Sequence, residues 1–294
     1  MRFTASVAMV DPSLYAPIAR AAEEAGYDGI SVPDSICYPQ ESGSRYPYTP
    51  DGAREFLENK PFIEPVVAVA TMAAVTERIA FYTGVLKLPI RNPVILAKEV
   101  TSLGVITANR LRLGVGTSPW PDDYTIVGLP WIGRGRRSEE CIAIIRGLAG
   151  GGYFEHHGEF YDFPAIKLNP VPTTAIPILV GGHSEALIDR AARIGDGWIA
   201  AGMPLDELRR VIARLHWLRG EYGRRGTPFE IHASSAESAT ADGVRRLEDL
   251  GVTHTGGGGS GRFPGYQREV DTETSGEKVD ALRRYADEVI AKVR

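Results

Sequence analysis

Apolar runs of strand length alternate with longer stretches of helical periodicity from one end of the chain to the other. That is the pattern of successive βα units on a parallel sheet. A first strand is expected over 3–9. Asp11 and Pro12 then supply an N-cap and a first helical residue, and the helix they open carries Ala19, Ala22 and Ala25 before Gly26 stops it. A strand over 28–32 leads into a polar stretch rich in Tyr and Pro, 33–61. The pattern continues with a helix over 63–76, a strand over 79–86, a helix over 93–107 and a strand over 111–115. After a loop comes a helix over 134–149, then an insertion over 151–168 whose alternating Tyr153, Glu155, Phe160 and Asp162 read as a β-hairpin. A strand over 176–180, a helix over 184–194, a strand over 197–201 and an amphipathic helix over 204–222 follow. Strands over 229–234 and 253–255 and a helix over 277–293 close the chain.

Eight βα units without a break in composition imply one α/β domain over 1–294, a (β/α)8 TIM barrel. A doubly wound open sheet is the alternative, disfavoured because no Gly-x-Gly-x-x-Gly follows the first strand. The glycine-rich run 256–261 precedes no obvious helix and reads as a loop at the barrel mouth. Composition narrows the picture further. With 43% hydrophobic and 24% charged residues the chain is an ordinary globular one. Its formal charge of −4 gives no electrostatic reason to expect nucleic acid or an anionic membrane as partner. Two cysteines, Cys37 and Cys141, make neither a disulfide framework nor a cysteine metal site. The start of the chain carries no signal-peptide pattern and no apolar run reaches the ~20 residues of a membrane span, so a cytoplasmic protein is expected. His156 and His157 point to opposite faces of a strand, which leaves no metal-ligand spacing.

In such a barrel, chemistry sits at the C-terminal ends of the strands. The second strand ends at Asp34 and Ser35; an Asp there either accepts hydrogen bonds from a ligand's ring N–H or caps a local turn. Gly84, near the end of the third strand, fits a bulge, a close backbone approach or a simple turn. The fourth strand ends in Gly114, Val115, Gly116, Thr117 and Ser118, two glycines and two hydroxyls at the mouth. The fifth ends in Val180, Gly181, Gly182 and His183 directly before a helix, which makes an anion site suited to a cofactor phosphate. His183 reads as a phosphate ligand, a substrate contact or a loop residue.

Together these segments resemble the luciferase-like monooxygenase superfamily, and within it the oxidoreductases that depend on the deazaflavin coenzyme F420. The matching residues occur in one order over nearly the whole chain: Ala22-Glu23-Glu24-Ala25-Gly26-Tyr27-Asp28, Val32-Pro33-Asp34, Thr83-Gly84-Val85-Leu86 with Pro89 and Arg91-Asn92-Pro93, Asn109 to Gly116, Gly158-Glu159-Phe160-Tyr161, Pro177 to Gly182, and Arg193 to Trp198. The resemblance implies a non-prolyl cis peptide between Gly84 and Val85 backing the cofactor ring, with Thr117 and Asp34 near that ring or its polar tail and Gly116 among the cofactor-binding residues. It further implies that Gly181 and Gly182 meet the cofactor phosphate through backbone N–H groups, with Val180 and His183 among the cofactor-binding residues beside them.

The chain also departs from the family pattern. Ser35 stands where many deazaflavin-using relatives carry a His, and Pro119 stands where some relatives that use sugar phosphates carry an acid. No His-based or Glu-based proton transfer is therefore carried over, and the catalytic residue stays unassigned. Tyr38, Tyr48, Asp122 and Tyr124 are nearby groups able to move a proton. The loops 33–61 and 120–133 would form a pocket for a small organic substrate, with Ser35, Tyr38, Tyr48, Trp120, Tyr124 and Trp198 as its walls; the Tyr, Trp and Pro content suits an apolar or aromatic molecule. Arg134, Arg136 and Arg137 would attract an acidic cofactor tail or form a solvated helix face. The expected activity is hydride transfer between coenzyme F420 and the substrate. FMN with oxygen, a monooxygenase, is the alternative, and a non-catalytic ligand-binding barrel a further one. A homodimer is expected from the resemblance.

Overall fold

The computed structural model of the chain describes residues 1–46, 49, 51–257 and 273–294. Its strands are β1 (Arg2–Ser6), β2 (Gly29–Val32), β3 (Ala80–Thr83), β4 (Leu86–Lys87), β5 (Leu111–Gly116), β6 (Phe154–His157), β7 (Asp162–Ile166), β8 (Ile178–Gly181), β9 (Gly197–Ile199), β10 (Glu230–His232) and β11 (His254–Gly256). The helices are α1 (Tyr15–Glu24), α2 (Pro65–Ala73), α3 (Pro93–Ile106), α4 (Pro121–Ile126), α5 (Arg134–Ala149), α6 (Glu185–Ile194), α7 (Leu205–Glu221), α8 (Ala241–Asp249) and α9 (Ser275–Tyr285). Parallel pairing runs β3-β2-β1-β11-β10-β9-β8-β5, and β5 also pairs with β3, so the sheet closes on itself. Because β4 resumes the line of β3 beyond Gly84 and Val85, the segments make eight staves of a (β/α)8 barrel. The hairpin β6–β7 lies outside it, as expected for the insertion.

Strand parity sorts the barrel residues into two shells. Phe3, Ile30, Phe81, Leu113, Val180, Trp198 and Ile231 face the helices and are buried there. The interior shell, which in such barrels is filled by branched apolar side chains, holds Thr4, Ser31, Tyr82, Arg112, Glu230, His232 and His254 instead. Among the described strand residues only Leu179 and Ile199 are large and apolar on that side.

Several elements differ from expectation. The strand expected over 79–86 is interrupted at Gly84-Val85, and the first strand stops at Ser6. A loop was expected where α4 forms, with Pro121 at its first position and Asp122 and Asp123 in its first turn. Between the last two strands lies α8, which has no counterpart in the sequence reading; Thr240 caps it by accepting the Gly243 N–H. The last helix begins at Ser275 with a reciprocal Thr274–Glu277 cap and continues through a π-helical stretch, Ala286–Ile290. Among the described residues no helix is long and apolar enough to cross a membrane.

Candidate active site

The floor of the mouth is built at the break in the third stave. The Gly84–Val85 peptide is cis. Gly84 is exposed to the mouth, and Val85 is half-buried above the barrel axis. A Cβ at Gly116 would lie 2.7 Å from Val85 Cγ2, and one at Gly181 would lie 2.6 Å from Val85 Cγ1. Both distances are shorter than real carbon contacts allow, so these two glycines make the seat in which the Val85 side chain sits. Beneath Gly84, a Cβ would collide with Ser31 Oγ. The expected bulge is therefore a closed platform: Val85 on top, Gly116 and Gly181 on either side, Ser31 underneath.

Asp34 holds that platform to its neighbours. Its Oδ2 accepts from the Lys87 backbone N–H at 2.7 Å and from Arg91 Nη1 at 2.8 Å, while Oδ1 accepts from Arg91 Nη2 at 2.9 Å. With its side chain 1% exposed, the carboxylate is taken up by Arg91 and β4 rather than offered to a ring. The expected ligand contact thus gives way to an anchoring one, because a bidentate guanidinium pair satisfies both oxygens. Lys87 carries the bracing onward, with Nζ 2.8 Å from Asp123 Oδ2 in a buried pair. Asp123 accepts from Ser118 Oγ, and Ser118 Oγ accepts from the Trp120 N–H at 3.0 Å. Trp120 in turn stacks on Tyr46 with centroids 5.5 Å apart and planes at 16°. Three loops around the mouth are linked by one chain of contacts.

The end of β8 departs from expectation in one respect. Gly182 has φ of +129°, where a side chain would also strike Leu187, so only glycine fits. Its N–H, however, already donates to the Ile199 carbonyl at 3.2 Å, and Val180 turns its side chain to the outer shell. The anion-type groups are instead those of the first turn of α6, whose N-cap Ser184 makes no side-chain cap bond. His183 Nε2 accepts from the Ala201 N–H at 3.0 Å, and burial lowers its pKa, which keeps the ring neutral at neutral pH.

The pocket residues divide. Ser35 and Tyr38 line the mouth half-buried, with the Arg54 guanidinium 4.6 Å from the centre of the Tyr38 ring. Trp120 is half-buried in the stack with Tyr46. Tyr124 and Trp198 are not pocket walls, since both side chains have 0% exposure. Tyr124 donates its hydroxyl to the Thr117 carbonyl, and Trp198 faces outward and donates to the Gly182 carbonyl at 2.9 Å, so each supports a loop from behind. Tyr48 and residues 258–261 of the glycine run lie outside the described residues. Asp122 accepts from the Ser42 and Ser44 hydroxyls, which hold its pKa below the usual range and make it a poor proton donor. Of the arginines, Arg136 pairs with Glu159, Arg134 stacks on Trp131 and buried Arg137 donates to the Pro130 carbonyl, tying α5 to its surroundings. A cavity of about 560 Å³, lined by Met9, Leu14, Phe56, Asp11, Glu55 and Lys60 among others, opens between the segment after β1 and the segment before α2. Sequence reasoning assigned none of these to the pocket individually, although 55–60 fall in a loop it named.

Inside the barrel, Glu230 binds Arg112 at 2.8 Å and His232 Nε2 at 2.7 Å, and the His232 and His254 rings stack 3.9 Å apart at 7°. Among the described residues Glu230, His232 and His254 form a group of metal-ligand type. A metal lies in the plane of each imidazole it binds, and rings stacked 3.9 Å apart at 7° share no such point within bonding distance, so the two rings as placed do not hold one ion together. Its effect is on acid stability. Burial, with the neighbouring His232 and Arg112, lowers the His254 pKa to about 3, and burial lowers that of His232 against the opposing pull of Glu230. Burial opposes the Glu230 charge, but the His232 hydrogen bond and Arg112 outweigh it and bring that pKa to about 2. An unfolded histidine takes up its proton near 6.5 and the folded His254 does not until about 3. Stability must therefore fall as pH drops below 6.5, by up to roughly 1.4 kcal/mol per pH unit for each histidine. Urea unfolding at pH 7 and at pH 5 is expected to show this loss, with His254→Gln giving the shallower dependence; equal slopes would refute the assignment.

A closed parallel barrel with a platform at the third stave and a helix N-terminus across the mouth places the chain in the class of (β/α)8 barrels. The family model for luciferase-like monooxygenases matches residues 6–286, and the chain belongs to that family. An uncharacterized protein of Mycobacterium tuberculosis is 54% identical over 293 residues, covering 100% of both chains. The F420-dependent glucose-6-phosphate dehydrogenase of Gordonia bronchialis is 30% identical over 206 residues, 67% of this chain and 55% of that one. The FMNH2-dependent dimethylsulfone monooxygenase of Pseudomonas putida is 28% identical over 151 residues, 50% of this chain and 41% of that one. Among solved structures, the coenzyme F420 dependent tetrahydromethanopterin reductase of Methanopyrus kandleri superposes with a TM-score of 0.76 at 15% identity, covering 100% of this chain and 99% of that one.

Proposed function

We propose that the protein is an oxidoreductase that transfers a hydride between coenzyme F420 and a small organic substrate. The observation that carries this reading is the Val85 platform: an apolar, sterically fixed surface at the mouth, seated between Gly116 and Gly181. A flat ring fits against such a surface, and the uncapped first turn of α6 offers N–H groups to its phosphate. When bound, a deazaflavin supplies two-electron hydride chemistry. The chain's part is to hold the ring on Val85, to fix the surrounding loops through Asp34, Lys87 and Asp123, and to keep His183 neutral beside the phosphate. Ser35, Tyr38 and Trp120 then face the substrate. FMN is the competing ligand, consistent with the monooxygenase among the relatives. Titration of the protein into F420, followed by its fluorescence, is expected to give micromolar binding at least about tenfold tighter than FMN. Micromolar FMN binding with no response from F420 would instead favour a flavin monooxygenase.

A further inference from the structure

The polar barrel interior is costly unless each group is satisfied, and two of its atoms are not fully so. His232 Nδ1 is buried with no hydrogen-bond partner, and the equally buried Thr4 Oγ1 meets only the Tyr82 phenol. The tautomer follows from the neighbour: Glu230 is held ionised and accepts, so the proton of neutral His232 sits on Nε2 and Nδ1 presents a bare lone pair. Tyr82 packs edge-on against His232 with centroids 4.8 Å apart, and the Thr4 and Ser31 hydroxyls lie beside its phenol. Ser31 is the register partner of Tyr82 and sits directly beneath Gly84. At the other end Glu230 keeps 23% of its side chain exposed, so the series begins at solvent on the lower face. A cation is a poor occupant, because Arg112 already takes the Glu230 charge and the stacked rings as placed do not hold one ion together.

We propose that the barrel interior binds ordered water at His232 Nδ1 and Thr4 Oγ1, completing a hydrogen-bonded column that carries protons between Ser31 beneath the platform and Glu230 on the lower face. The use of the column rests on the redox reading above; its hydration does not. Oxidation of an alcohol-type substrate releases a hydride from carbon and a proton from oxygen, and reduction of the ring takes up one of each. The column moves that second particle. A proton released above enters at Ser31 and moves down the hydroxyls to the water; the water gives a proton to His232 Nδ1, Nε2–H gives its own to Glu230, and Glu230 releases it to solvent, so no added charge remains inside. Transfer in the other direction reverses every step.

Two measurements test this. In a high-resolution crystal structure of the cofactor-free protein, density within hydrogen-bond reach of His232 Nδ1 is expected; a dry interior there overturns the proposal. For transport, F420-loaded protein is given a rapid pH jump and the ring absorbance is followed. His232→Gln keeps a donor for Glu230 but cannot take up a proton on one atom and release one from the other as imidazole does. It is expected to slow proton equilibration by about tenfold or more without changing the dissociation constant for F420. Thr4→Val is expected to act in the same direction, and it guards against a folding defect in the first variant. Equilibration at the wild-type rate in both variants would overturn the transport role. If F420 does not bind at all, the redox reading fails, and the density at Nδ1 alone then decides the hydration site.

Discussion

Asp34→Ala is expected to destabilise the fold by about 3 kcal/mol, the magnitude for removing one partner of a largely buried ion pair. The loss has two parts. Arg91 is left with 16% of its side chain exposed and no carboxylate at hydrogen-bond distance, and the Lys87 N–H loses the acceptor that fixes β4. Asp34→Asn retains an acceptor for the N–H and should fall between the two. Urea unfolding at pH 7 measures both variants. Were Asp34 a ring contact and nothing more, alanine would weaken cofactor binding while leaving the unfolding midpoint where it was. The difference decides between the role read from sequence and the role read from the bidentate pair.

A comparable effect with a built-in rescue is expected at Gly181. Alanine there would bring its Cβ to 2.6 Å from Val85 Cγ1. Overpacking of this kind typically costs 1–3 kcal/mol, and displacement of Val85 would abolish cofactor binding. Val85→Ala removes the opposing methyls, so the Gly181→Ala/Val85→Ala protein should recover stability to within about 1 kcal/mol and part of its binding. Gly114 provides the control. A Cβ at Gly114 meets the Thr83 backbone carbonyl, which no side-chain change can move, so Gly114→Ala should stay destabilised in every background. If Val85→Ala failed to relieve Gly181→Ala, the seat described for Val85 would be wrong. Thermal melts and F420 titrations on the four proteins read both quantities.

Much of the barrel was legible because βα alternation, caps and terminating glycines are local signals. The helix Arg134–Ala149 and the break at Gly84 both follow from residues within a few positions of them. What was not legible depends on long-range proximity. Gly116 and Gly181 looked like close approaches to a ligand, whereas their lack of a side chain is explained by Val85, far from both in sequence. Asp34 is 57 positions from Arg91, and no local pattern pairs them. Helix α8 escaped because Val244 and Leu247 alone give too short an apolar stripe to register, and Thr240 is its main local sign.

Two misreadings had a usable signal. Trp198 lies between Gly197 and Ile199, so parity in a three-residue strand turns it away from the barrel interior. The polar interior was likewise written in alternation: Phe3, Thr4, Ala5, Ser6 on β1 and Glu230, Ile231, His232 on β10. Parallel strands buried on both faces usually read as continuous apolar runs. Alternation in their place marks an interior that is polar.

The central claim is that Val85 is the surface against which the cofactor ring lies. A crystal structure of the protein with coenzyme F420 tests it most directly. The ring is expected to stack on the Val85 side of the mouth with its phosphate at the first turn of α6. A ring bound elsewhere, or a phosphate held away from that turn, would contradict it.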